Sequence, residues 1–361
     1  MKKPDFSKLY SALLRGHSAL PRLLGSPRAL PLLNVSIEVT HRCNLRCAMC
    51  FQRKRTDGAG ELTEAELLRL VDGLPPWTIV TFTGGEPFMR PDFRAVLRHA
   101  LTRRRCNILT NAELVTDQDI ASFVDGGLAL IGVSIDGLGD THDGIRRKRG
   151  LFAKAAEVLR KIAERKKLKR TMFPLIDVKT VILKENLGEL EGIHAFANGL
   201  GADFFSLSLQ KLSDRQFNEP YYSDLEKDIF ACPPNPPPAL TAAELETLLG
   251  QLDAMDRAGG PVKTRFYPYN MLGAGAVKKY YADDIAPGDF APCGVPWSLA
   301  CVSPYGDVFP CLSYKAGNVR EEPLAKIWNG ERMRAFRARL GKQQLDRCCL
   351  GCCYSIYKAA R

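Results

Sequence analysis

The stretch EVTHRCNLRCAMCF (38–51) puts Cys43, Cys47 and Cys50 in a C-x3-C-x2-C spacing, and it directly follows a β-branched run, Val35–Thr40, that reads as a first strand. Three thiols in one short loop can wrap one side of a metal centre. A closed structural zinc site needs a fourth protein ligand. His41 lies only two residues before Cys43, too near for the usual ligand pairings. A 4Fe–4S cluster on three cysteines instead leaves one iron open to a substrate or cofactor. Zinc and plain core thiols are the alternatives.

Outward from that loop the chain alternates short β-branched runs with helical periods. Further strands are expected at Thr78–Phe82, Asn107–Thr110, Leu130–Ile135, Val178–Leu183 and Phe204–Leu209. Helices are expected at Glu64–Val71, Phe93–Leu101, Asp117–Val124, Ala153–Ala163 and Leu187–Asn198, the first opened by a Thr63/Glu66 capping box. Six strand-then-helix units predict a parallel sheet covered by helices, with chemistry at the carboxyl ends of the strands. Six units are fewer than a closed eight-fold barrel needs, so the expected α/β fold is a partial (β/α)6 TIM-like barrel over 34–210. Residues 1–33 are an N-terminal extension. Residues 211–292 are a connector, with the proline-rich ACPPNPPPAL (231–240) and a helix at Ala242–Arg257 opened by Thr241 and Glu244. Residues 293–361 read as a small metal-stapled domain.

Composition bounds the possibilities. The 361 residues suit about two structural units. A hydrophobic fraction of 45% and a charged fraction of 25% exclude wholesale disorder. No apolar run is long enough to span a membrane, and no secretory signal is visible, so a cytoplasmic location is expected. The twelve cysteines cluster, which in a reducing compartment points to metal. Lys plus Arg exceeds Asp plus Glu by 51 to 40. The basic excess gathers in 141–170 and 315–361 and reads either as solvated helix faces or as a field for an anionic substrate. Nothing matches a nucleic-acid-binding signature.

The cysteine loop, with Phe51 after its third cysteine, resembles the cluster loop of the radical S-adenosylmethionine (radical SAM) superfamily. In that superfamily S-adenosylmethionine chelates the open iron, and one electron cleaves it to methionine and a 5′-deoxyadenosyl radical that abstracts hydrogen from a substrate. TFTGGEP (81–87), at the end of the second strand, resembles the segment that binds the methionine amino group, through Gly84, Gly85 and Glu86. By the same resemblance Asn111, Ser134 and Asp136, from ILTNAEL (108–114) and VSIDG (133–137), lie near the cofactor's methionine or ribose, and Arg146 reaches its carboxylate. Ala112 departs from the glycine often found there.

CGVPWSLACVSPYGDVFPCL (293–312) reads as a hairpin turning at Tyr305-Gly306-Asp307 that delivers Cys293 and Cys311 to one site. With AGNV (316–319) and CCLGCC (348–353) it resembles the SPASM auxiliary iron–sulfur domain. That resemblance implies one auxiliary 4Fe–4S cluster on Cys293, Cys311, Cys349 and Cys352, with Cys348 or Cys353 able to replace a neighbour and Cys301 packing in the core. A four-cysteine zinc knuckle is the alternative.

The implied partners are a one-electron donor such as flavodoxin or ferredoxin and a small-molecule, sugar or lipid substrate. A ribosomally made peptide is the rival substrate, and a non-catalytic electron-transfer protein the rival class. The leucine- and arginine-rich segment 9–33 could touch an anionic membrane surface, but packing across the barrel is the preferred reading.

Overall fold

The computed structural model describes residues 16–50, 57–210, 239–271, 273–311, 314–342, 345, 349–350 and 352–358. Phe51, Cys232 and Cys348 lie outside them, as does most of the proline-rich stretch. Ten strands form one sheet in the order β10-β9-β8-β1-β2-β3-β4-β5-β6-β7. The first six are β1 (Asn34–Glu38), β2 (Ile79–Thr83), β3 (Arg105–Thr110), β4 (Leu130–Ser134), β5 (Leu175–Ile182) and β6 (Phe204–Leu209). They pair in parallel and in sequence order, as an open barrel requires.

Side chains alternate across each strand. One set, including Val35, Ile37, Val80, Phe82, Ile131, Val178 and Phe205, is fully buried and shares a single apolar core with the helices. The covering helices after α1 (16–23) include α2 (Glu64–Asp72), α3 (Phe93–Leu101), α4 (Asp117–Asp125), α5 (Asp140–Arg146), α6 (Leu151–Leu168) and α7 (Leu190–Leu200). The Thr63/Glu66 box caps α2 as expected, and Thr116 with Asp119 caps α4 in the same way. Much of the basic excess in 141–170 is paired on the outer helices. Lys161 binds Asp117 and Glu157, each at 2.7 Å, Arg165 and Lys169 bind Asp125, and Lys166 binds Asp203. This is the solvated-face reading of that patch.

Two strands extend the six. After α8 (Ala242–Ala258), opened by the Thr241/Glu244 capping box, β7 (Lys263–Tyr267) pairs in parallel with β6, so the connector contributes to the sheet. At the other edge β8 (Leu299–Val302) pairs in parallel with β1, Ser36 facing Cys301. The predicted hairpin follows: β9 (Asp307–Phe309) runs antiparallel to β8 around Gly306, whose φ of 87° suits glycine, and β10 (Gly317–Asn318) closes the edge. After the hairpin come α10 (Leu324–Trp328) and α11 (Glu331–Lys342), separated at Asn329-Gly330, with α9 (Ala274–Tyr281) preceding the hairpin.

Of the N-terminal segment, residues 16–33 are described. Its backbone is claimed by side chains of the C-terminal region. Asn329 exchanges two hydrogen bonds with the Ala29 backbone (2.9 and 3.0 Å), Trp328 Nε1 donates to Leu30 O (2.8 Å) and Trp297 Nε1 to Ser26 O (3.3 Å). Among the described residues no helix is long and apolar enough to cross a membrane.

Asn329 also accepts from Arg337 Nη1 at 3.1 Å. Asn329→Ala should therefore lower stability by about 2 kcal/mol, through several lost hydrogen bonds each of modest net worth. Thermal unfolding will measure it.

Candidate active site

The cysteine loop leaves β1 and is gripped on three sides. Glu61 accepts from Thr40 Oγ1 (2.7 Å) and from the His41 amide (2.9 Å), and Arg42 approaches its other oxygen at 3.5 Å. His41 Nε2 lies 3.0 Å from Glu38, and its ring packs edge-on against Tyr305 of the C-terminal hairpin. On the third side the backbone of Gly84 and Gly85 presses directly on the loop. The Gly85 and Glu86 amides donate to Thr40 O (2.8 Å) and Arg42 O (2.9 Å). A Cβ on Gly84, whose φ is 132°, would stand 2.3 Å from Thr40 O, and one on Gly85 would stand 2.2 Å from Arg42 O. Only glycine fits either position.

Glu86 is 1% exposed, and both its oxygens are used inside the protein. Oε1 accepts from Thr110 Oγ1 (2.8 Å) and the Phe88 amide (3.3 Å), and Oε2 from the Asn111 amide (2.8 Å). Burial pushes its carboxyl up to about 7, outweighing these donors and the charge of Arg146. Asn111 in turn donates to Asn44 Oδ1 at 3.0 Å, tying the end of β3 to the cysteine loop. Ala112 holds a φ of 66°, the left-handed conformation for which glycine is the easier residue.

Asp136, fully buried after β4, holds Arg146 through both Nε (2.6 Å) and Nη2 (2.5 Å), and its second oxygen accepts from the Val181 amide (2.8 Å). Arg146 turns its remaining nitrogen to Cys47 Sγ at 3.7 Å, and the Ala48 amide donates to Ile145 O (3.0 Å). The structure thus commits Arg146 to a carboxylate and a sulfur of this chain, because a buried Asp136 needs a counter-charge. Ser134 ends β4 in register with Lys179. His142, which the motifs did not single out, is fully buried. Its Nδ1 accepts from the Asp136 amide at 3.0 Å, and burial pulls it down to about 4.

Burial pushes the Cys43 thiol up to about 11 and raises Cys47 too, though Arg146 opposes the second shift. Cys43, Cys47 and Cys50 lie close enough to feel one another's charge. Two sulfurs, Cys43 and Cys47, that burial and nearby charge keep protonated belong to a donor set suited to a strongly positive centre, which would deprotonate them on binding. Among the described residues no three His, Cys, Asp or Glu side chains are gathered to hold a single metal ion.

At the C-terminal site burial lifts Cys293 to about 12, and Cys311 and Cys349 add to the shift, so these three sulfurs share a neighbourhood. The Cys352 amide donates to Cys349 O at 3.0 Å, folding the C-x2-C pair into a turn. Cys301 is 7% exposed on β8, and the charges it feels are those of Glu38, Cys311 and Cys353.

The barrel interior carries a polar row of which the motifs pointed only to Ser134. Ser134, Lys179, Ser206 and Arg265 face one another across β4 to β7. Asp177, two residues before Lys179 and 3% exposed at its side chain, receives Lys179 Nζ at 3.1 Å and Arg265 Nη1 at 4.0 Å. Burial pulls Lys179 down, but the Asp177 carboxylate outweighs it and keeps the ammonium charged. Lys179 lies 5.4 Å from the Tyr267 ring and Arg265 3.2 Å from that of Phe204. Buried Asp177 Oδ1 and Ser206 Oγ have no hydrogen-bond partner among the described residues. The available signal was charge at period-two positions inside the apolar strands LIDVKTVI and KTRFY.

Residues 37–197 match the radical SAM superfamily model and residues 293–353 the SPASM iron–sulfur cluster-binding domain model. The chain belongs to the radical SAM superfamily and carries a SPASM region; it is an enzyme whose cofactors are 4Fe–4S clusters and S-adenosylmethionine. Among its relatives are a tungsten-containing aldehyde ferredoxin oxidoreductase cofactor-modifying protein of Pyrococcus furiosus and an AdoMet-dependent heme synthase of Methanosarcina barkeri. The first is 27% identical, covering 88% of this chain and 86% of its own. The second is 28% identical, covering 90% and 92%. The fold matches Streptococcus suis SuiB bound to S-adenosylmethionine with a TM-score of 0.64 at 15% identity, over 98% of this chain and 79% of that one.

Two outcomes test the packing of the site. Gly84→Ala should cost about 3 kcal/mol and lower the iron bound after anaerobic reconstitution, since loop and glycine cannot both keep their places. His142 stays neutral in the fold at pH values where the unfolded chain protonates it. Stability should thus fall as pH drops from about 6.5 towards 4, the unfolded state binding the extra proton. His142→Asn, which can still accept from Asp136, should flatten that slope in thermal melts.

Proposed function

We propose that this enzyme abstracts hydrogen from a small anionic molecule, one bearing a carboxylate or phosphate, bound in the barrel interior. The observation that carries this reading is the Asp177–Lys179–Arg265 group. Two cations meet one carboxylate, which leaves positive charge for a ligand anion, and the unpartnered Asp177 Oδ1 and Ser206 Oγ invite a donor group beside that anion. Aromatic rings at Phe204 and Tyr267 wall the space and strengthen charge–charge attraction by excluding water.

In this reading Cys43, Cys47 and Cys50 hold the first 4Fe–4S cluster, and Cys293, Cys311, Cys349 and Cys352 hold the auxiliary one. With an electron from a flavodoxin- or ferredoxin-like donor, the first cluster supplies the reductive cleavage of S-adenosylmethionine. Gly84 and Gly85 seat the loop, and their backbone with Asn111 would hold the cofactor's amino acid end. Glu86 acts by fixing the ends of β2 and β3. Asp136 and Arg146 set the charge beside Cys47, and Ser134 joins the cofactor side to the polar row. The cytoplasm, where thiols stay reduced, is the compartment this chemistry suits.

A second reading is favoured by relatives named for peptide chemistry, a PqqA peptide cyclase of Rhodopseudomonas palustris and the subtilosin biosynthesis protein AlbA of Bacillus subtilis. It makes the substrate a peptide.

Anaerobic enzyme with dithionite and S-adenosylmethionine should yield 5′-deoxyadenosine, and Cys50→Ala should abolish it. A protease-treated low-mass cell extract should stimulate turnover, and passage over an anion exchanger should remove the stimulation. Lys179→Met should lower that stimulation roughly tenfold or more, the loss of a charged hydrogen bond, while leaving basal cleavage in place. Stimulation destroyed by protease would instead establish the peptide reading.

A further inference from the structure

A cavity of about 780 Å³ opens beside the auxiliary region, with Cys293 in its wall. It lies between the N-terminal segment, the loop around Gly288 and α11. Four cations line it, Arg22, Arg337, Lys342 and Lys358, and among the described residues no carboxylate does. Its volume is that of a small-ligand pocket.

Arg337 forms the floor. It is fully buried, a rare state for arginine without an ionic partner. Nε donates to Pro296 O at 2.7 Å, and Nη1 to Asn329 Oδ1 at 3.1 Å and Pro27 O at 3.4 Å, all neutral acceptors. Its guanidinium lies 4.3 Å from the Trp328 ring, and Nη2 has no partner among the described residues. A buried cation satisfied only by neutral groups is costly. Above it, Arg22 stacks near Trp297, its guanidinium 5.8 Å from the ring, and Lys358 Nζ reaches Gly288 O at 2.8 Å. Among the described residues every charge facing the space has the same sign, and Arg337 has a donor still to place.

We propose that this cavity binds an anionic group, a phosphate or carboxylate, against Arg22, Arg337, Lys342 and Lys358. The group can arrive on a soluble molecule or as a lipid headgroup. Leu20, Leu23 and Leu24 on and just after α1 are 51%, 84% and 74% exposed, and Leu23 also lines the cavity, so apolar side chains stand at its edge. The site is separate from the barrel interior and does not depend on what binds there.

Titration of the anaerobically reconstituted full chain with sodium pyrophosphate should give saturable heat. The double variant Lys342→Gln/Lys358→Gln should weaken binding roughly tenfold while the fold, followed by circular dichroism, is unchanged. Arg337→Gln should abolish binding; the lysine pair keeps the test decisive if that variant fails to fold. Co-sedimentation with phosphatidylglycerol vesicles but not phosphatidylcholine vesicles, competed by pyrophosphate and lost in Leu23→Ser/Leu24→Ser, would assign the group to a lipid. Pyrophosphate binding with no vesicle binding would assign it to a soluble ligand. Absence of both, or binding unmoved by the lysine pair, would overturn the proposal.

Discussion

At Gly84 and Gly85 two backbones meet with no side chain between them, and the cysteine loop has its position because they do. The end of β2 hands two amides to carbonyls of residues 40 and 42 and comes so close that even a methyl group would collide with them. The contact is made by main chain on main chain, which has few soft degrees of freedom. The first thiol, Cys43, follows immediately. Glu86, one residue on, spends its carboxylate on the start of the next loop, so that β1, β2 and β3 end in one linked assembly.

Charge is arranged around that assembly in a graded way. Glu61 and Glu38 hold the loop's entry, and Asp136 holds Arg146 against Cys47. Each of these buried acids has an assigned donor, whereas Cys43 and Cys47 are sulfurs whose charged form the bare protein opposes. The positive centre they are shaped for reverses that preference, and binding it is thereby coupled to pH.

Much of this was legible in the sequence because its signals are local. Strand positions followed from β-branched runs, and the capping pairs Thr63/Glu66 and Thr241/Glu244 appear as read. The glycine pair and the cysteine spacing pointed to neighbouring strand ends. What escaped were groups whose meaning depends on register. Lys179, Ser206 and Arg265 come from three strands spread over nearly ninety residues, and only pairing places them in a row. The pairing of Arg146 with Asp136 could not be seen without knowing that Asp136 is buried. The partners of the N-terminal segment escaped for a similar reason: the groups that claim its backbone, Trp297, Trp328 and Asn329, lie some three hundred residues away.

The pairing of β8 with β1 limits how such a chain can be rebuilt. β8 belongs to the auxiliary region, yet it lies hydrogen-bonded along residues 34–37, the strand from which the cysteine loop departs. Excising the C-terminal third would strip β1 of a neighbour and leave a bare edge beside the reactive loop. A chimera that borrows this region from a relative must therefore import a strand matched residue by residue to its host, because the boundary between the two halves runs through the middle of a shared sheet.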